Sequence, residues 1–89
     1  MKIYLQTIPG VGGPYLRFYQ LSLQKDIFDG WTLIKENGIQ GRAGRINKQH
    51  YNTWEEAQSA MLTARDNQLR RGYKVVFING DKQPDMDTP

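Results

Sequence analysis

The chain has 89 residues, 38% hydrophobic, 11% aromatic and 24% charged, which suits one globular domain and leaves no room for a second core. Twelve Lys and Arg stand against nine Asp and Glu, with no cysteine, so disulfide scaffolds, thiol catalysis and cysteine-built zinc fingers are excluded. No apolar run approaches the ~18 residues of a membrane span, and Met1-Lys2-Ile3-Tyr4 does not open a signal-peptide stretch.

The charge is unevenly spread. Residues 37–52 hold Arg42, Arg45 and Lys48 and no acid, whereas Asn79 to Pro89 sets Lys82 against Asp81, Asp85 and Asp87. The body before that tail carries 11 bases against 6 acids, a balance that permits polyanion binding without establishing it.

Lys2 to Ile8 mixes Ile3, Tyr4, Leu5 and Ile8 with polar residues and reads as a short strand. Pro9-Gly10-Val11-Gly12-Gly13-Pro14 breaks the pattern and must be a loop. Tyr15 to Gln24 alternates, with Tyr15, Arg17, Tyr19, Leu21 and Leu23 on one face and Leu16, Phe18, Gln20, Ser22 and Gln24 on the other. Lys25 to Gly30 is a turn, and Trp31 to Asn37 a third strand with Trp31, Leu33 and Lys35 opposite Thr32, Ile34 and Glu36. Gly38, Gly41 and Gly44 recur every third residue and predict a tight, irregular connection with close backbone approach. Arg45 to Tyr51 is a fourth strand.

Thr53, with Glu56 three residues on, forms a capping box and starts a helix over Trp54 to Arg71. Its apolar stripe is Trp54, Ala57, Ala60, Met61, Ala64 and Gln68, and Gly72 stops it. Tyr73 to Ile78 is the last strand. The expectation is one α+β domain over residues 1–78: a mostly antiparallel sheet of four to five strands with one long helix packed on it. Residues 79–89 are expected to form a disordered acidic tail.

Chemistry is sparse. His50 is the sole histidine, and no serine occupies a nucleophile elbow, so it reads as a strand-surface imidazole. Glu55 and Glu56 serve the helix start, and Asp26 and Asp29 serve a turn. Gly10-Val11-Gly12-Gly13 precedes a strand rather than a helix and so fails as a phosphate-cradling loop. No catalytic residue, metal site or cofactor is expected, and the chain does not read as an enzyme. The segment Arg42 to Lys48 is different, since its cations, planar amide and small residues suit phosphate contact. Trp31, Tyr51 and Trp54 are near it in sequence and could stack on sugars or bases. The same segment also reads as a solvated basic hairpin edge, because edge cations block aggregation. Leu62 and Leu69 flank the helix stripe and read as the margin of the core.

Three runs together resemble the WGR domain family: Arg17-Phe18-Tyr19, then Phe28-Asp29-Gly30-Trp31-Thr32-Leu33-Ile34, then Lys35 through Arg45. Trp54-Glu55-Glu56-Ala57 and the closing Arg70-Arg71-Gly72-Tyr73 continue the resemblance, which spans residues 15–78. It implies an antiparallel sheet with one helix against it. It also implies the DNA contact that this family makes near strand breaks in poly(ADP-ribose) polymerases, and the length resembles the short free-standing bacterial type. The name motif falls on Asn37-Gly38-Ile39, where only the glycine matches. Asn37 replaces an aromatic that can stack on a sugar, and Ile39 replaces an arginine.

Two functions are therefore expected. One is a non-enzymatic module that binds DNA or RNA through Asn37, Gly38, Gly41, Arg42, Arg45 and Lys48. The alternative is a protein-interaction module with no direct nucleic-acid role. A bacterial, cytoplasmic setting without membrane attachment is the expected context for either.

Overall fold

A computed structural model describes residues 1–8, 10 and 13–79. The strands are β1 (Lys2–Thr7), β2 (Arg17–Lys25), β3 (Trp31–Ile39), β4 (Arg45–Tyr51) and β5 (Tyr73–Asn79), with one helix, α1 (Trp54–Arg70), between the last two. They form a single sheet in the order β4-β3-β2-β1-β5, every neighbouring pair antiparallel. The α+β expectation holds. The helix leaves one edge strand and delivers the chain to the other, so it must cross the sheet. At 17 residues it is about 25 Å long, against about 19 Å for the four inter-strand gaps. Among the described residues no helix is long and apolar enough to cross a membrane.

Alternation sets the core. Ile3, Leu5, Leu21, Leu23 and Leu33 share one sheet face and are buried against Ala57, Met61 and Ala64 of the helix. The two alanines let the helix backbone approach closely, and Met61 fills the space between. Trp31 packs edge-on to Trp54 with centroids 4.8 Å apart, beside the helix start. Tyr19 packs edge-on to Tyr73 at 6.1 Å, near the start of β5. Leu62 is half-buried and Leu69 is exposed.

Local signals fix the helix ends. Thr53 Oγ1 accepts the Glu56 N–H at 3.1 Å, the first half of the expected cap. At the other end Arg71 is the cap rather than a helical residue, and Gly72 adopts φ +96° while donating to the Leu69 carbonyl. Four strands differ from expectation at their ends, β1 by stopping at Thr7 rather than Ile8. β2 starts at Arg17, not Tyr15, and β3 continues through Gly38 to Ile39, because the long β2 supplies it with partners: Phe18 faces Gly38 and Arg17 faces Ile39. β5 includes Asn79, the first residue of the expected 79–89 tail; residues 80–89 and part of the expected 9–14 loop lie outside the described residues.

The turn between β2 and β3 is organised by one carboxylate. Asp26 accepts hydrogen bonds from the backbone N–H of Phe28 (2.9 Å) and Gly30 (3.0 Å) and from the Thr32 hydroxyl (3.0 Å). His50 Nδ1 lies 2.6 Å from Asp26 Oδ2, the oxygen that also accepts from Thr32, and His50 Nε2 lies 3.1 Å from Asn52 Oδ1. A side chain at Gly30 would collide with the His50 ring, 2.3 Å from its Cβ position. Partial desolvation raises the Asp26 carboxyl, but hydrogen bonds from His50, Phe28, Gly30 and Thr32 outweigh it and hold the group at about 2. The Asp26 and Asn52 acceptors raise His50 above its ordinary value, since the imidazolium can donate to both.

These shifts fix the sign of a pH effect. His50 stabilises the fold fully below its ordinary 6.5 and loses that contribution as pH rises through its raised folded value. Asp26 contributes above its ordinary 3.8 and loses it as pH falls toward about 2. The thermal midpoint should therefore fall as pH rises from 6.5 through the raised His50 value in a scanning-calorimetry series, by an amount that His50→Gln removes.

Candidate nucleic-acid interface

The sheet register determines what the six sequence-derived residues can do together. Asn37 lies directly opposite Arg45 on the helix-side face, in a row that continues through Tyr19 to Leu5. Lys48 faces Ile34 and belongs to the opposite face, so it shares no platform with Arg45. Gly41 has φ +86° in the β3–β4 connection with open space around it, and Arg42 N–H donates to the Ile39 carbonyl at 3.0 Å. The Arg42 guanidinium lies over the Tyr15 ring, 5.8 Å from its centroid. The structure thus gathers Asn37, Arg45, Gly41 and Arg42 at one corner, with Lys48 around the β4 edge.

Gly38 makes the close backbone approach that the glycine spacing predicts, but it does so within β3 and against Phe18. A Cβ there would meet the Gly44 Cα at 3.1 Å and the Phe18 ring at 3.4 Å. At Gly44 a Cβ would meet the Asn37 carbonyl oxygen at 2.8 Å and the Phe18 ring at 2.9 Å. The two glycines let β3, the start of β4 and Phe18 close on one another. Their close approach is to the protein's own ring and backbone.

The helix explains why this corner is open. It runs from the end of β4 toward the start of β5, a diagonal that covers Leu21, Leu23 and Leu33. The start of β4, the end of β3 and the start of β2 lie off that diagonal. There Lys35, Asn37 and Ile39 are only half-buried, and Arg17, Arg45 and Asn47 are exposed. By register Arg17, Lys35 and Arg45 all project on the helix-side face, where the strands carry no acid. The Cα atoms of Lys35 and Arg45 are about 8 Å apart, and those of Arg17 and Arg45 about 12 Å, from strand spacing and rise.

Arg71, just past the helix end, lies near enough to Tyr19 to act on it electrostatically. Burial pushes the Tyr19 hydroxyl up, with the nearby Arg71 guanidinium opposing and Tyr73 assisting. Tyr19 therefore remains a neutral hydrogen-bond donor at the foot of a cationic corner. Arg17, Lys35, Tyr19 and Arg71 were not among the sequence candidates. Alternation had put Arg17 and Tyr19 on the face of Leu21 and Leu23, and Lys35 on that of Leu33. What was missing was the register that joins the two faces.

The aromatics expected beside the loop are elsewhere. Trp31 pairs with Tyr51 at the far end of β3 and β4, about 20 Å along the strands from the Asn37–Arg45 pair. Both pack against the core, as does Trp54. They pack on the hydrophobic interior, and the aromatics at the corner are Tyr19, opposite Asn37, and Tyr15, beneath Arg42. Compared with known proteins, the chain matches no family model and no curated protein sequence.

Because Gly44 is packed on two sides, Gly44→Ala should destabilise the fold by about 1–3 kcal/mol, read as a lower midpoint in urea. Gly41→Ala tests a different cause, since it meets no atom but strains a positive φ.

Proposed function

We propose that the chain is a small, non-enzymatic nucleic-acid-binding module of the WGR-like kind, and that its contact surface is the open corner of the helix-side sheet face. The observation that carries this reading is the grouping of Arg17, Lys35 and Arg45 around Asn37 on a face whose strands bear no acid. An approaching phosphate backbone meets attraction there and no repulsion from the sheet. Arg45 and Lys35 pair with successive phosphates, and Arg17 with one farther along the same face. Arg42 reaches in from the turn, where Gly41 lets backbone come close. Asn37 offers its amide to a sugar or base edge in place of the family's aromatic. Lys48, at the β4 edge, serves a backbone that wraps around that edge.

A protein-interaction module is the second reading, favoured by the β5 edge. Val76, Phe77 and Ile78 are 52%, 41% and 57% exposed on an outer strand with no charge from Val75 to Asn79. Such an edge can accept a further strand from a partner.

Salt separates the two. Three to four neutralised phosphates give a log–log salt slope of about −3 to −4 on duplex DNA. In fluorescence-anisotropy titrations Arg42→Ala with Arg45→Ala should reduce that slope by about two units and weaken all sequences alike. Its circular dichroism should match the parent's, since both side chains are exposed. An unchanged slope and affinity would move the protein-interaction reading ahead.

A further inference from the structure

The face of the sheet turned away from the helix has its own composition. Tyr4 faces Phe77 on one side and Gln20 on the other, and Gln6 faces Phe18 in the next row. The Tyr4 and Phe18 rings are parallel, 1° apart in plane, with centroids 6.0 Å apart. Each is held from a second direction. The Tyr4 hydroxyl donates to Gln40 Oε1 at 2.8 Å, and Phe18 lies against Gly38 and Gly44. Phe77 is 41% exposed beside them.

Cations surround this aromatic centre. Lys2 and Lys48 lie in one row, joined through Ser22 and Ile34, which ends at Lys48 on β4 and at Asn79 on β5, and Lys74 faces Gln6 in another. All three lysines are exposed, and Glu36 is the one acid that the strands project here. An aromatic cluster flanked by lysines, on a sheet face that no described helix covers, is suited to bases that stack while their phosphates run outward. Duplex DNA does not use such a surface, because its bases are already stacked.

We propose that this face is a second nucleic-acid surface, one that takes single strands: two or three unpaired bases stack over Phe77, Tyr4 and Phe18, and Lys2, Lys48 and Lys74 pair with the flanking phosphates. The inference extends the nucleic-acid reading of the corner but uses none of its cations except Lys48, which lies at the edge between the two.

The test is anisotropy with a fluorescein-labelled 15-nucleotide oligothymidylate, an abasic strand of the same length and a duplex. Stacking is sequence-tolerant but needs bases, so the oligothymidylate should bind about tenfold more tightly than the abasic strand. Phe77→Ala, at an exposed edge position, should cut that ratio severalfold while leaving the abasic strand unchanged. Tyr4→Leu with Phe18→Leu should abolish it, with circular dichroism confirming the fold. Arg42→Ala with Arg45→Ala should weaken the duplex and leave the ratio intact. Equal affinity for the two single strands, no measurable oligothymidylate binding, or a ratio that survives both aromatic variants overturns the proposal. The corner reading stands or falls separately, on the duplex arm.

Discussion

One helix of 17 residues has to bury a face of a five-stranded sheet while carrying the chain from one edge strand to the other. A helix about 10 Å wide covers only a band of that face. The band falls on Leu21, Leu23, Leu33, Ile3 and Leu5, where Met61 and the flanking alanines pack. Everything off the diagonal must be polar or partly solvated. At the β3–β4 corner the sequence meets that requirement with Arg17, Lys35, Asn37, Arg45 and Asn47. The open, polar corner is thus a consequence of how far one helix can reach, and the sequence makes it cationic.

Two smaller devices keep that corner and its neighbouring turn in place. Phe18 closes over Gly38 and Gly44, which fixes the start of β4 relative to the end of β3 and so the spacing of Arg45 from Asn37. At the other end of the same strands Asp26 gathers two backbone N–H groups, a hydroxyl and His50. It ties the β2–β3 turn to β4. Asp26 is therefore the turn residue that its sequence context suggested, and His50 has a structural partner on the surface of its strand.

Features written in adjacent residues were legible in the sequence. Thr53 and Glu56 announced the helix start, Gly72 its end, and the Ala57/Met61/Ala64 stripe its buried face. The alternation in β2 and β3 correctly paired Leu21 and Leu23 with Arg17, and Leu33 with Lys35. What depends on distant pairing was not legible. Gly38 looked like part of a loop because its strand partner Phe18 is 20 positions away. Trp31, Tyr51 and Trp54 looked close to the arginines in sequence, yet antiparallel pairing carries them to the opposite end of the hairpin. Arg71 reaches the neighbourhood of Tyr19 only because the helix crosses the sheet on a diagonal. Local pattern sets faces and caps; register and helix direction decide which side chains meet.

The most direct measurement is amide chemical-shift mapping by NMR of the isotopically labelled chain titrated with a short DNA duplex at low salt. Shifts centred on Arg17, Lys35, Asn37, Arg42 and Arg45, with Lys48 at the margin, are the expected result. Shifts centred instead on the outer helix surface around Ser59 and Thr63, or no shifts at a duplex concentration in large excess, would contradict a nucleic-acid surface at the corner the helix leaves open.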